Sequence, residues 1–268
     1  MADLNPLSLW RHLLALPNES RTKTIAVAFM VSAVCAVSVS VAAVILGPIQ
    51  DANRAAEQAA RMEAMLASMP EMAALIEEAG GDSLETIIVN LRTGLPAEGI
   101  DPDSFDAEAA RKDPARTTIL SADQDIAGLG RRPDFLPIHI LREDGDLRLV
   151  ILPISGAGYQ STIRANLALE GDLNTVAALS VTEQGETPGL GARIEEARWQ
   201  ALWPGKLIAD NEGNIRLEVV RGQATNDFEV DGITGATRTG NGVTRAVRFW
   251  LGPNGFGPVL DNLANGAL

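Results

Sequence analysis

The sequence predicts an α+β protein in which a single N-terminal transmembrane helix precedes an extracytoplasmic domain of mixed helices and strands. Three observations carry that expectation. Residues 24–50 of the 268-residue chain include no charged side chain. From about residue 116 onward, short runs alternate apolar and polar residues at the strand period. Between those runs lie two stretches with helical spacing, 192–203 and 241–251, a mixture that suits helices packed on an antiparallel or mixed sheet.

The span comes first. TIAVAFMVSAVCAVSVSVAAVIL (24–46) is longer than the roughly 20 residues needed to cross about 30 Å of hydrocarbon. It also exceeds the apolar core of a cleavable signal peptide, and the segment before it is long, so the reading is a retained anchor. Arg21 and Lys23 directly precede the run, with Arg11 further back, whereas the first charge after it is Asp51. Basic residues beside a span stay on the cytoplasmic side. The N-terminus is therefore expected inside and the rest of the chain in the periplasm.

Four segments follow from this: a cytoplasmic piece over 1–23, the transmembrane helix over 24–46, a helical and loop connection over 47–131, and a folded domain over 132–268. In the connection, 51–69 has Ala, Met and Leu at helical spacing, a short helix is expected near 70–79, and 94–115 reads mostly as loop. Within the domain, PIHILRE (137–143) and LRLVILPI (147–154) form a hairpin around Asp144-Gly145-Asp146. TIRANLAL (162–169), TVAALSVTE (175–183) and IRLEVVR (215–221) add further strands.

Composition narrows the chemistry. A formal net charge of -13 argues against a nucleic-acid partner, which would require clustered Lys and Arg. The single cysteine, Cys35, allows neither an internal disulfide nor a thiolate-ligated cluster of the chain's own, so redox chemistry needs an organic cofactor. The two histidines, His12 and His139, are far apart in sequence, and no metal site is expected. No GxGxxG follows a strand and no phosphate loop is present, which leaves tight NAD or ATP binding unsupported.

One stretch stands out. Asp231-Gly232-Ile233-Thr234-Gly235-Ala236-Thr237 leads into Arg238-Thr239-Gly240-Asn241-Gly242-Val243. Small neighbours leave a threonine hydroxyl approachable, and a helix starting near Asn241 offers backbone N–H groups suited to a phosphate. From the residues alone, a Thr/Gly-rich turn capping a helix is the preferred reading.

The order of these residues resembles the flavinylation motif of FMN-binding domains, an aspartate followed by Ser/Thr-Gly-Ala-Thr. That resemblance implies that a separate flavin transferase, using FAD and Mg²⁺, esterifies FMN phosphate to Thr237, with Asp231 read by the transferase. It places Thr234, Gly235 and Ala236 beside the cofactor. A second match, Glu186-Thr187-Pro188-Gly189-Leu190-Gly191, is similar to the loop that packs against the isoalloxazine ring in these domains, which implies cofactor contacts from Glu186, Thr187, Gly189, Leu190 and Gly191.

VILPISGAGY (150–159), WQALWPGK (199–206) and FWLGPNGFGPVL (249–260) resemble the single-anchor, FMN-domain member of the Na⁺-translocating NADH:quinone reductase. The resemblance implies an electron relay through covalent FMN, from a membrane iron–sulfur centre to a second covalent flavin, inside an assembly of six subunits in the bacterial inner membrane. NADH oxidation and ion passage would belong to other subunits. The homologous flavin protein of the Rnf complex shares the motif and the anchor, but the long insert and FWLGPNGFGPVL favour the quinone reductase. Two positions depart from the family pattern: Tyr159, where other large residues are frequent, and Arg238, where leucine is common. Residues 65–130 carry no recognisable motif.

Overall fold

The computed structural model describes residues 20–41 and 84–268, together with positions 15, 17, 44 and 46. The helices expected at 51–69 and 70–79 lie outside the described residues. Two compact units divide between Ala64 and Met65. In the first, helix α1 (Arg21–Val41) runs 21 residues with none of its apolar window buried. At 1.5 Å per residue it is about 32 Å long, enough to cross a membrane. Ser20 starts it, its hydroxyl accepting the Lys23 N–H at 3.2 Å. Ser38 donates its hydroxyl to the Val34 carbonyl at 2.8 Å, which satisfies that polar group within the helix itself.

The second unit is built on six strands in the order β2-β1-β5-β6-β7-β8, with every neighbouring pair antiparallel. They are β1 (Leu84–Asn90), β2 (Leu95–Pro96), β5 (Phe135–Glu143), β6 (Asp146–Ala157), β7 (Thr162–Glu170) and β8 (Val176–Glu183). Two small sheets flank it, β3 (Thr117–Ile119) with β4 (Arg131–Pro133), and β9 (Glu218–Val219) with β10 (Glu229–Val230). The helices are α2 (Ala107–Lys112), α3 (Ala197–Gln200), α4 (Thr237–Leu251) and α5 (Gly257–Ala264).

Alternation explains the layers. On β5, Leu136, Ile138 and Ile140 are buried, and on β6, Val150, Leu152 and Ile154 join them in one core with Val243, Val247 and Trp250 of α4. Successive strand side chains point to opposite faces, so α4 covers the apolar face of the sheet. His139 is on the alternate register, where its Nδ1 pairs with the Thr86 hydroxyl at 2.9 Å and burial lowers its pKa. It is part of the sheet.

Four sequence expectations change. Strand β1 arises inside the stretch read as a connection, because LETIIVN pairs along its whole length with β5, from Leu84 opposite Leu141 to Asn90 opposite Phe135. Its burial does not alternate, which hid it. The strand expected over 215–221 shrinks to Glu218–Val219, since only those residues meet a partner strand at 229–230. Helix α4 begins at Thr237, not near Asn241. The 94–115 stretch, expected mostly as loop, instead holds β2, a 3-10 turn at Pro102–Ser104, α2 and the start of a second 3-10 turn at Pro114–Arg116.

Candidate functional site

The fold brings the two small-residue motifs together at the start of α4. From the end of β8 the chain passes through 184–190 into a 3-10 turn at Gly191–Glu195. Glu186 is only 4% exposed. Its Oε1 accepts the backbone N–H groups of Tyr159 at 3.0 Å, Gln160 at 2.9 Å and Ser161 at 3.2 Å. Its Oε2 accepts the Thr239 hydroxyl at 2.5 Å and lies 3.1 Å from the Tyr159 nitrogen. Burial pushes this carboxyl's pKa up. Hydrogen bonds from Thr239 and from the three backbone donors outweigh that effect and hold it below the ordinary carboxylate range.

Two glycines make room for that carboxylate. A Cβ on Gly158 would lie 2.5 Å from Glu186 Oε1, and one on Gly191 would lie 2.5 Å from the Thr239 hydroxyl. The loop is tied further by Gln160 Nε2 to the Thr187 hydroxyl at 2.9 Å and by the Gly185 N–H to the Ser161 hydroxyl at 2.7 Å. Thr187 and Glu186 thus face the 159–161 segment. The sequence reading gave both a cofactor contact and missed Gln160 and Ser161, which lie outside either motif; the run of small residues at 155–158 was the available signal.

Thr237 is the first residue of α4 and is half-buried. Alanine at the N-cap, Ala236, has no side-chain oxygen, so the first-turn N–H groups lack the usual capping acceptor. Gly235 turns the chain into the helix with φ +80°, a conformation other L-residues rarely take, and a Cβ there would meet Leu190 Cδ2 at 3.0 Å. Leu190 therefore rests on the turn while 43% exposed, and Tyr159 is 53% exposed beneath the Arg238 guanidinium, 5.1 Å from its ring centroid. The two residues that depart from the family pattern pair with each other here.

Three threonines compete for attention. Thr239 is buried and bonded to Glu186, Thr234 is exposed, and Thr237 lies between them at the helix start. Thr234 lines an open cleft of about 220 Å³ with Asp231, Arg193, Glu196 and Trp199. Asp231 is held elsewhere: its Oδ1 accepts the Ala224 N–H at 2.7 Å, and its carbonyl accepts Trp199 Nε1 at 2.9 Å. Gly189, with φ +74°, is exposed at the tip of the upstream loop. Among the described residues no group of His, Cys, Asp and Glu is arranged to hold a metal ion.

These elements belong to a flavin-binding class of protein that, here, begins with a helix long and apolar enough to cross a membrane. The FMN-binding domain family matches residues 158–252, which contain Glu186, Thr237 and Tyr159. Over 255 residues the chain is 39% identical to NqrC of the Na⁺-translocating NADH-quinone reductase from Pseudomonas aeruginosa, covering 92% of this chain and 98% of that protein. The Yersinia pestis NqrC is 38% identical over 256 residues, 94% of this chain and 96% of the relative. The crystal structure of Shewanella oneidensis NqrC superposes with a TM-score of 0.67 at 30% identity, covering 76% of this chain and 98% of that one. The chain belongs to the NqrC family of the Na⁺-translocating NADH:quinone reductase.

Proposed function

We propose that this chain carries FMN as a phosphoester on Thr237 and places it in the electron path of a membrane complex that oxidises NADH and reduces quinone. The observation that carries the reading is the contrast between two neighbouring hydroxyls: Thr237 is half-buried at a helix start with no capping side chain, while Thr239 is buried and already donating to Glu186. In the attachment step the Thr237 oxygen forms a bond to the FMN phosphorus of FAD and gives up its proton while the pyrophosphate P–O bond breaks and AMP leaves carrying that proton, with a flavin transferase as catalyst. Bound FMN supplies the redox-active ring. Leu190, on the Gly235 turn, and Tyr159, under Arg238, offer it exposed apolar surface, and the N-terminal end of α4 favours the phosphate charge.

The remaining assignments follow from the same reading. Residues 1–23 are cytoplasmic, 24–46 span the bacterial inner membrane, 47–131 connect, and 132–268 form the flavin-bearing part on a sheet that also recruits β1. Partners are the other members of the assembly of six subunits, in particular those holding the iron–sulfur centre and the second covalent flavin. Asp231, through its bond to the Ala224 N–H, shapes the loop that the transferase meets. The test is the intact mass of the chain produced with and without a flavin transferase. A transferase-dependent gain of one FMN, lost in Thr237→Ala, is the expected result; a gain that survives in Thr237→Ala would move the attachment, with exposed Thr234 next in line ahead of buried Thr239.

A further inference from the structure

We propose that Glu186 is a positioning residue for the flavin face: its carboxylate fills, from within the chain, a nest of three successive backbone N–H groups and ties that nest to the first turn of α4. The inference rests on the reading that Thr237 carries FMN, and deepens it. Consecutive N–H donors converging on one point form a concavity that favours an anion. In this protein Tyr159, Gln160 and Ser161 supply those donors, and the anion is a side chain of the same molecule.

Three consequences follow from the geometry. The nest is closed to the flavin phosphate, which leaves the Thr237 end of α4 as the place for that charge. The Thr239 hydroxyl, 2% exposed and committed as a donor, cannot act as a second acceptor of the phosphoryl group. Finally, the carboxylate ties the backbone that bears Tyr159 to the first turn of the helix that bears Thr237 and Arg238, beyond the Arg245–Ala157 and Trp250–Ser155 bonds further along, and so trims the spacing of the exposed surface beside the ring. Gly158 and Gly191 hold the slot open, each within 2.5 Å of the groups involved if it had a Cβ. Glu186 therefore acts on the cofactor through Tyr159 and α4, without touching it.

Glu186→Gln keeps the shape and removes the charge, Thr239→Val removes one donor, and Thr239→Ser retains it. In the flavin-free chain, amide exchange at 159–161 should quicken about tenfold or more in Glu186→Gln, since charge-assisted hydrogen bonds contribute about 1.5–3 kcal/mol. Thr239→Val should show a smaller increase, and Thr239→Ser should match the wild type. Intact mass should still show one FMN on Thr237 in all three, while the visible circular dichroism and the reduction potential of the bound flavin shift in the same order. Unchanged exchange in Glu186→Gln overturns the latch. Faster exchange with a wild-type flavin spectrum and potential reduces Glu186 to a purely structural tie and overturns its positioning role. If Glu186→Gln does not fold, Thr239→Val decides by the same two readouts. A wild-type chain that takes no flavin on Thr237 overturns the reading beneath this one, and is told apart because the mass measurement fails before any variant is compared.

Discussion

Helix α4 is finished differently at its two ends. At the C-terminal end Phe249, Trp250 and Leu251 are buried, Trp250 meets the Phe256 ring at 5.3 Å, and its Nε1 donates to the Ser155 carbonyl at 2.6 Å. Arg132, itself buried, donates to the Asn254 carbonyl at 2.6 Å and closes the turn that follows. At the N-terminal end an alanine occupies the cap, Thr237 is half-buried, and Arg238, Leu190 and Tyr159 are exposed. One end is sealed by packing and the other is left open to chemistry. The closed end supplies the rigidity that lets the open end forgo its cap, whose absence costs of the order of 1 kcal/mol.

That contrast can be broken at the closed end first. Trp250→Ala removes a fully buried aromatic and should destabilise the second unit by about 3–5 kcal/mol in urea unfolding, the usual range for such truncations. Covalent labelling at Thr237 should fall with the folded fraction. A Trp250→Ala protein as stable as wild type would mean that the aromatic cluster does not hold α4.

A subtler test uses acid. Glu186 titrates lower in the folded chain than in the unfolded one, where a glutamate sits near 4.3. Its contribution to stability is therefore complete above the unfolded value and disappears as pH falls through the lowered folded value. Denaturant midpoints measured from neutral pH down into the acid range should drop less steeply in Glu186→Gln than in wild type. Parallel slopes would show that other carboxylates, such as Asp172 and Glu108, account for the acid sensitivity.

The smallest effect belongs to the open end. Arg238 makes a cation–π contact with an exposed ring, so Arg238→Ala should change stability by no more than about 0.5 kcal/mol. Equal stability of the two proteins in urea would fit; a loss like that of Trp250→Ala would make the helix start part of the packed core.

How much of this could be read from the chain depended on whether the information was local. The hairpin of β5 and β6 was legible because its alternation and its Asp144-Gly145 turn are contiguous. Strand β1 was not, since Ile88 and Val89 are both buried and break the alternation, and only pairing with β5 half a hundred residues away makes the segment a strand. The start of α4 was misplaced by four residues because Thr237 follows an alanine rather than a capping side chain. Thr237 and Leu190 stand out in sequence through the small residues around them. The task of Glu186 does not, for its partners at 159–161 belong to the loop between two other strands, and no spacing rule connects them.

The two ends of α4 also make the helix a measuring rod. Trp250 stands thirteen positions after Thr237, about 20 Å along a straight helix at 1.5 Å per residue. With a flavin on the threonine, an indole emitter and a visible-absorbing ring are mounted at fixed separation on one rigid rod. In a chain whose other three tryptophans, Trp10, Trp199 and Trp203, are replaced by phenylalanine, quenching of Trp250 then reports on the whole span between the sealed end and the open one. Its recovery on heating or in urea would show when that span stops being a single body, without any added label.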